Sequence, residues 1–384
     1  MMKQDSQTEV LAGVEQAQDP HRSLHSETVA RPGEHPGRSG NPLVKVAGLA
    51  WLEFDKPDLD RAERFGTDFG FTVAERTPET LLLRGRQASA ACLVIRRGPQ
   101  PRFAGVAFQA AARDDLDRLA RGTGGTVMTH WGGHAVRLRD PSGFPVHVVY
   151  GVPDLPALPE RAPLPMNFGS GPARVNATQR PARRPAGIQR LGHVVLGTTR
   201  FRAALDWYLD TLGLIVSDFL YLDGQRDRGP AMAFIRCDLG SVPADHHTLA
   251  MALQPHTGYV HSAYQLTDLD EVAASGAYLR EQGYRHSWGL GRHIQGSQIF
   301  DYWRDPDRAM FEHYTDGDVF DAAMAPGWAP LSASGLAQWG PKATADFTGT
   351  SDPRVAVAAI KALRDKGNEI DLRALRGLIK AMSS

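Results

Sequence analysis

The chain has 384 residues, 42% of them hydrophobic, which is enough for a core but too long for a single one. Lys plus Arg and Asp plus Glu each number 43, so the formal charge is zero and nothing marks out a nucleic-acid or anionic-membrane partner. Cys92 and Cys237 form no disulfide framework and suit a reducing cytoplasm, no apolar run of about 18 residues could span a membrane, and the opening MMKQDSQTEV lacks a signal peptide's apolar centre.

Residues 1–42 are polar and rich in Gly, Pro, Ser and His. With so little apolar surface they cannot offset their ordering entropy, and they read as a disordered extension. Residues 43–151 read as a folded module. VKVAGLAWLEF has a strand's pattern, and DLDRAERFGTDFG that of a helix, with Asp58 near its cap and Gly70 at its end. Strands follow at FTVAER, ETLLLRG and ACLVIRR, and FAGVAFQAA begins the pattern again with the helix RDDLDRLARGTG. AVRLRD and FPVHVVYG close the unit, giving the order β-α-β-β-β run twice. Eight prolines between 152 and 187 exclude a regular element, so this stretch is a linker over the surface.

Residues 188–320 repeat the design. VAGLAWLEF matches RLGHVVLGT, FAGVAFQAA matches VHSAYQLTD, and RDPSGFPVHVVYG matches RDPDRAMFEHYTDG. A repeat of about 140 residues is a domain duplication rather than a solenoid period. Residues 321–384 form a tail. Its first helix has Asp352 as N-cap and Pro353 at the first position, and its second carries an apolar stripe of Ile370, Leu375, Leu378 and Met382. Both helices are expected to pack on the body or on another subunit. The fold class is therefore α+β: two tandem modules, each a pair of βαβββ units curled around a cavity, with a short helical C-terminal tail.

Subtracting one repeat from the other isolates the chemistry. His193, His261 and Glu312 sit on three strands of the second half, where the first half aligns Leu49, Gly105 and His147. Two histidines and a carboxylate on one side of a metal leave the other side open, which suits an Fe(II) that must take both an organic substrate and dioxygen. His246 and His247 are adjacent at the mouth of the strand TLAMAL, where alternation lets at most one of them face inward. HxxxH in THWGGH would pair metal ligands only on a helix; its glycines argue for a turn, so His130 and His134 are set aside, and His147 alone makes no site.

These residues resemble the type I extradiol catechol dioxygenases of the vicinal oxygen chelate superfamily, over roughly residues 44–150 and 188–320, and most closely over GRHIQGSQIFDYWRDPDRAMFEHYTDGD. The resemblance implies the vicinal oxygen chelate fold and metal ligation by His193, His261 and Glu312. It implies acid/base work by His247, the second histidine of the pair, and active-site roles for Tyr302 and for His293, nine residues before it. His246 is then expected to face away or to cap the strand. Tyr302 is expected to donate a hydrogen bond to a substrate oxygen. The implied reaction is extradiol opening of an aromatic diol by dioxygen in aromatic catabolism. The implied cofactor is Fe(II), with Mn(II) suiting the same donors, and the implied state is a cytoplasmic homo-oligomer. The first module should be structural and metal-free. A departure is Arg308–Ala309 in RDPDRAMF, where a glycine-containing turn is common. Two rivals are a glyoxalase-like isomerase, which Leu49 and Gly105 disfavour, and a non-catalytic small-molecule-binding protein, which would need neither the triad nor the His247–Tyr302 pair. Arg292 is an available cation for an anionic substituent, and Trp288, Phe300, Trp303 and Tyr259 suit a bulky or aromatic one.

Overall fold

The computed structural model describes residues 28–332, 334–350 and 352–383; the disorder expected of 1–27 falls outside them. The first module comprises β1 (Val46–Lys56), α1 (Leu59–Phe69), β2 (Thr72–Arg76), β3 (Thr80–Arg84), β4 (Leu93–Arg97), β5 (Arg102–Ala110), α2 (Arg113–Thr123), β6 (Val127–His130), β7 (Gly133–Arg139) and β8 (Pro145–Tyr150). The helix α1 starts where the Asp58 carboxylate accepts from the Arg61 N–H, and it stops at Gly70, whose left-handed backbone only glycine adopts freely. The strands form one sheet in the order β2-β3-β4-β1-β5-β8-β7-β6. Each βαβββ unit closes with a parallel pair, β1 with β4 and β5 with β8, and the units join antiparallel through β1 and β5.

The second module repeats this with β9 (Arg190–Thr198), α3 (Phe201–Leu212), β10 (Leu214–Leu222), β11 (Met232–Cys237), β12 (Ala244–Asp245), β13 (Leu249–Leu253), β14 (Gly258–Gln265), α4 (Leu269–Glu281), β15 (Arg285–His293), β16 (Ile299–Arg304) and β17 (Met310–Thr315). The chain continues through β18 (Val319–Phe320), β19 (Gly327–Leu331), β20 (Ala337–Trp339), α5 (Pro353–Arg364) and α6 (Leu372–Ser383). Ten strands pair as β19-β10-β11-β13-β9-β14-β17-β16-β15-β20, while β12 and β18 form a separate ribbon. Here the sequence expectation needs correcting. β19 and β20, assigned to the tail, extend both edges of the second module's sheet. A bare edge offers unpaired N–H and C=O groups, and these two strands cover them.

A second correction concerns 28–42. Arg226 is buried and bonds Thr28 Oγ1 at 2.6 Å, Val29 O at 3.0 Å and Glu34 at 2.7 Å, and Val216 N donates to Gly37 O. A buried guanidinium is costly unless its donors are used. It therefore holds a segment that composition alone leaves loose. The proline-rich linker forms no helix or named strand; Arg161 ties it to Asp268, the N-cap of α4, at 2.6 Å.

The modules share one core. Phe54, Phe65 and Phe69 meet Phe311, and Phe69 also meets Tyr264. Each such buried ring contributes roughly 1.5–3 kcal/mol. Lys56 crosses the same boundary to the Asp305 and Asp307 carboxylates. In the second module α4 packs on β16 and β17. Ser275 of α4 approaches His313, and a Cβ on Gly276 would meet Trp303, so His313 and Trp303 face this helix. By alternation, Tyr302 and Glu312 face the opposite side of the sheet. The tail helix α6 lies against Leu222 and Gln225, where Gly377 leaves room for the contact, and Lys380 pairs with Asp223.

Candidate active site

Directly opposed residues on neighbouring strands share a face. Ala263 on β14 opposes both His193 on β9 and Glu312 on β17; Glu312 opposes Tyr302, and Tyr302 opposes Trp288. A single row therefore crosses five strands, and the small Ala263 leaves space in its middle. His261, two residues before Ala263, points to the same face and fills that space. His193 Nε2 and His261 Nε2 lie 3.3 and 3.2 Å from Glu312 Oε2, and the three potential ligand atoms are all within 4.8 Å of one another.

Glu312 is fully buried, and neither of its oxygens has a hydrogen-bond donor. Burial alone would raise its pKa, but the His193 and His261 imidazoles hold it well below the usual carboxylate range. Burial in turn pushes His261 down, toward the neutral form that ligates metals. A buried carboxylate without a donor, flanked by two imidazoles, is incomplete without a cation. Two nitrogens and one oxygen, with no thiolate, fit a divalent first-row metal.

His246 and His247 are not on the β13 ladder but in the bend before it, so strand alternation does not govern them. Both are buried, their rings stand at 87°, and their Nδ1 atoms are 3.0 Å apart. The His247 ring lies against His193 with centroids 3.9 Å apart, whereas His246 turns away to Asp218 at 2.6 Å. Burial, followed by the surrounding imidazoles, pushes His247 well below its ordinary value.

His293 Nδ1 donates to Leu336 O at 2.7 Å, and burial pushes the ring down to about 4. It is therefore neutral, and its Nε2 accepts from the Tyr302 hydroxyl at 2.8 Å. Tyr302 and His293 are thereby joined as a buried pair. Burial and the Glu312 charge raise the Tyr302 pKa, which keeps the hydroxyl protonated. The wall beyond these groups comes from a part of the chain that the sequence placed outside the site. Phe347 packs on Trp288 and Tyr302, Trp288 Nε1 donates to Pro341 O, and Thr344 Oγ1 donates to Ser287 O. Arg292 is already bonded to Ser297 O and Asp316, so it is not held free for a substrate anion. His286 bonds Asp301, and His313 donates to Phe69 O on the far side of its strand from Glu312.

The first module carries the matching row. Trp51 opposes Ala107, Ala107 opposes His147, and His147 opposes Arg137. The counterpart of His193 is therefore Trp51 and not Leu49, because a bulge between Leu49 and Trp51 shifts the register. Gly105 does stand at the place of His261, and a Cβ there would come within 3.0 Å of Pro145 O. His147 is not alone, as the sequence reading had it: its Nδ1 is 3.1 Å from Glu53, and His130 joins them within 4.8 Å. Glu53, however, already accepts from Trp51 Nε1 at 3.0 Å and from Arg96 at 2.6 Å. Against the effect of burial, His147, Arg96 and Trp51 hold its pKa down to about 2. Its charge has an arginine partner, where Glu312 has only the two imidazoles.

The model of the Glyoxalase/Bleomycin resistance protein/Dioxygenase superfamily matches residues 190–313, the stretch that contains His193, His261 and Glu312. Metapyrocatechase 2 of Cupriavidus necator is 31% identical over 330 residues, covering 84% of this chain and 96% of that protein. The chain belongs to the extradiol dioxygenases of this superfamily. A manganese-dependent 2,3-dihydroxybiphenyl 1,2-dioxygenase from Geobacillus genomosp. 3 is 24% identical over 326 residues, 78% of this chain and 95% of that one. A solved extradiol ring-cleaving dioxygenase from B. fuscum shares the fold, with a TM-score of 0.66 at 18% identity over 82% of this chain and 84% of that chain. As an extradiol dioxygenase the enzyme is an oxidoreductase of a metal-dependent family, and no helix of the described residues is long and apolar enough to cross a membrane.

Proposed function

We propose that this dioxygenase opens a catechol-type aromatic diol beside its hydroxyls, placing both atoms of dioxygen in a ring-opened semialdehyde, with Fe(II) held by His193, His261 and Glu312. The observation that carries the reading is the Glu312 carboxylate, buried between two imidazoles with no hydrogen-bond donor on either oxygen. A divalent iron in this donor set supplies Lewis acidity toward a diol and a redox couple toward dioxygen; Mn(II) suits the same donors and is the ion named for the Geobacillus relative. His247, neutral and against His193, takes a proton from a diol hydroxyl and returns it to an oxygen of the opening ring. The Tyr302–His293 pair orients a substrate oxygen, and Phe347, Trp288 and Phe300 offer an apolar wall to a neutral ring substituent. The first module holds no metal on this reading and serves as a packing partner. Two buried free cysteines are in keeping with a cytoplasmic protein, and the exposed Val357 and Ile360 of α5 are in keeping with a homo-oligomer.

The test is dioxygen uptake by anaerobically purified, Fe(II)-loaded enzyme offered catechols with neutral and with carboxylate substituents. One dioxygen consumed per diol, with a new visible chromophore, is expected, and the neutral diols should be preferred. His261→Ala should abolish uptake together with metal binding. His247→Ala should keep the metal while kcat falls roughly 10²- to 10⁴-fold. Iron bound without consumption of any diol would sink the proposal.

A further inference from the structure

Behind His247 lies a buried chain of hydrogen bonds that ring opening, as proposed above, does not use. Asp218 on β10, His246 and His247 are 3%, 1% and 4% exposed. His246 Nε2 is 2.6 Å from Asp218 Oδ2, and His246 Nδ1 is 3.0 Å from His247 Nδ1. A carboxylate only accepts, so the hydrogen in the first contact sits on His246 Nε2. When that is the one hydrogen on His246, its Nδ1 is bare and the hydrogen between the two rings belongs to His247 Nδ1. That leaves His247 Nε2 bare.

The His246 ring has little freedom to break this order. Its N–H donates to Asp318 O at 2.9 Å and its carbonyl accepts from Ser217 Oγ at 2.6 Å. Phe234 and Phe320 flank the ring, each with centroids 5.5 Å away. Gly296 approaches so closely that a Cβ there would lie 2.9 Å from His246 Nδ1. The nearby buried cation Arg236 does not divert Asp218: its amino groups go to Ser217 Oγ and to the carbonyls of Val216, Asp321 and Met324.

We propose that Asp218 and His246 are positioning residues that fix His247 in the tautomer with a hydrogen on Nδ1 and a bare Nε2, the form able to accept the diol proton. The proton count closes within the chain. A proton from the diol binds His247 Nε2, the hydrogen on His247 Nδ1 can pass to His246 Nδ1, and His246 becomes an imidazolium beside the Asp218 carboxylate. The reverse shifts restore the start when the proton leaves. The positive charge then rests on His246 beside the Asp218 carboxylate and not on His247.

The inference rests on His247 as the proton acceptor of ring cleavage, but the tautomer is measurable without turnover. Full-length enzyme labelled with ¹⁵N-histidine and loaded with Zn(II), a diamagnetic probe, should give His247 ring signals with protonated Nδ1 and bare Nε2. The signals are assigned by their loss in His247→Gln. In Asp218→Asn the two tautomers should mix. The kcat of the Fe(II) enzyme should fall roughly 10- to 100-fold with KM changed less than about threefold, because the residue acts through His247 and not on the substrate. A wild-type His247 carrying its hydrogen on Nε2 would overturn the proposal, as would folded Asp218→Asn with unchanged kcat. Absence of ring cleavage in the wild type would instead remove the functional reading and leave the tautomer result standing.

Discussion

A buried carboxylate needs a positive partner, and Glu53 and Glu312 meet that need in different ways. Glu53 has Arg96, His147 and the Trp51 indole. Its folded pKa, about 2 against a usual 4.5, lies below its unfolded value. The ion pair therefore stabilises the fold fully above the unfolded pKa, and that contribution is lost as pH falls through the folded one. At neutral pH it amounts to about 3 kcal/mol. Denaturant unfolding should show Glu53→Gln less stable by about that much at pH 7, with the gap to wild type narrowing below about pH 4. An equal gap at pH 3 and pH 7 would mean that the ionised form is not what stabilises. At Tyr302 the prediction is kinetic. Removing the hydroxyl in Tyr302→Phe unpairs the His293 nitrogen and should lower kcat about 10-fold, the worth of one buried hydrogen bond, while metal content stays the same. Full kcat in the variant would remove Tyr302 from the working residues.

At the scale of elements, the turn between β16 and β17 illustrates how the duplication has drifted. Asp305 Oδ1 accepts from the N–H groups of Asp307 and Ala309, and in the first module Asp140 Oδ1 accepts in the same way from Ser142 and Phe144. Both turns need one left-handed residue, supplied by Gly143 in the first module and by Arg308 in the second, with φ of 93° and 72°. This is the departure visible in RDPDRAMF. An L-residue with a side chain bears a penalty there of about 1–2 kcal/mol, so Arg308→Gly should raise stability by up to about 1 kcal/mol after the glycine's own entropic cost. Thermal unfolding measures this, and a destabilised variant would show that the Arg308 side chain matters more than its backbone. The same drift sets what could be read in advance. His193, His261 and Glu312 stand out because one repeat can be subtracted from the other. Trp51 does not, because a bulge in β1 is invisible to an ungapped alignment. His246 and His247 break the alternation rule because the chain leaves the ladder at the bend before β13. Asp218 carries no local signal at all: it lies on a hydrophobic strand 28 residues before His246, and only the folded sheet brings them together.

At the scale of the molecule, two copies of one design have taken different work. Each lays a row of side chains across its sheet. In the second module that row carries His193, Glu312, Tyr302 and Trp288, and in the first Trp51, His147 and Arg137. The first row is closed by its own bonds to Glu53, and the module contributes aromatic rings to the shared core. The repeat and the two-module plan are plain in the sequence because hydrophobic patterning sets them. The edge strands β19 and β20, the site wall around Phe347 and the packing of 28–42 are not, because each depends on partners far along the chain. The measurement that tests the account most directly is metal content per chain, read together with catechol-dependent dioxygen uptake, in wild type, Glu312→Ala and His147→Ala. The account predicts one divalent metal in active wild type, none and no uptake in Glu312→Ala, and one with uptake retained in His147→Ala. Two metals per wild-type chain, or a metal that survives Glu312→Ala and is lost from His147→Ala, would contradict it.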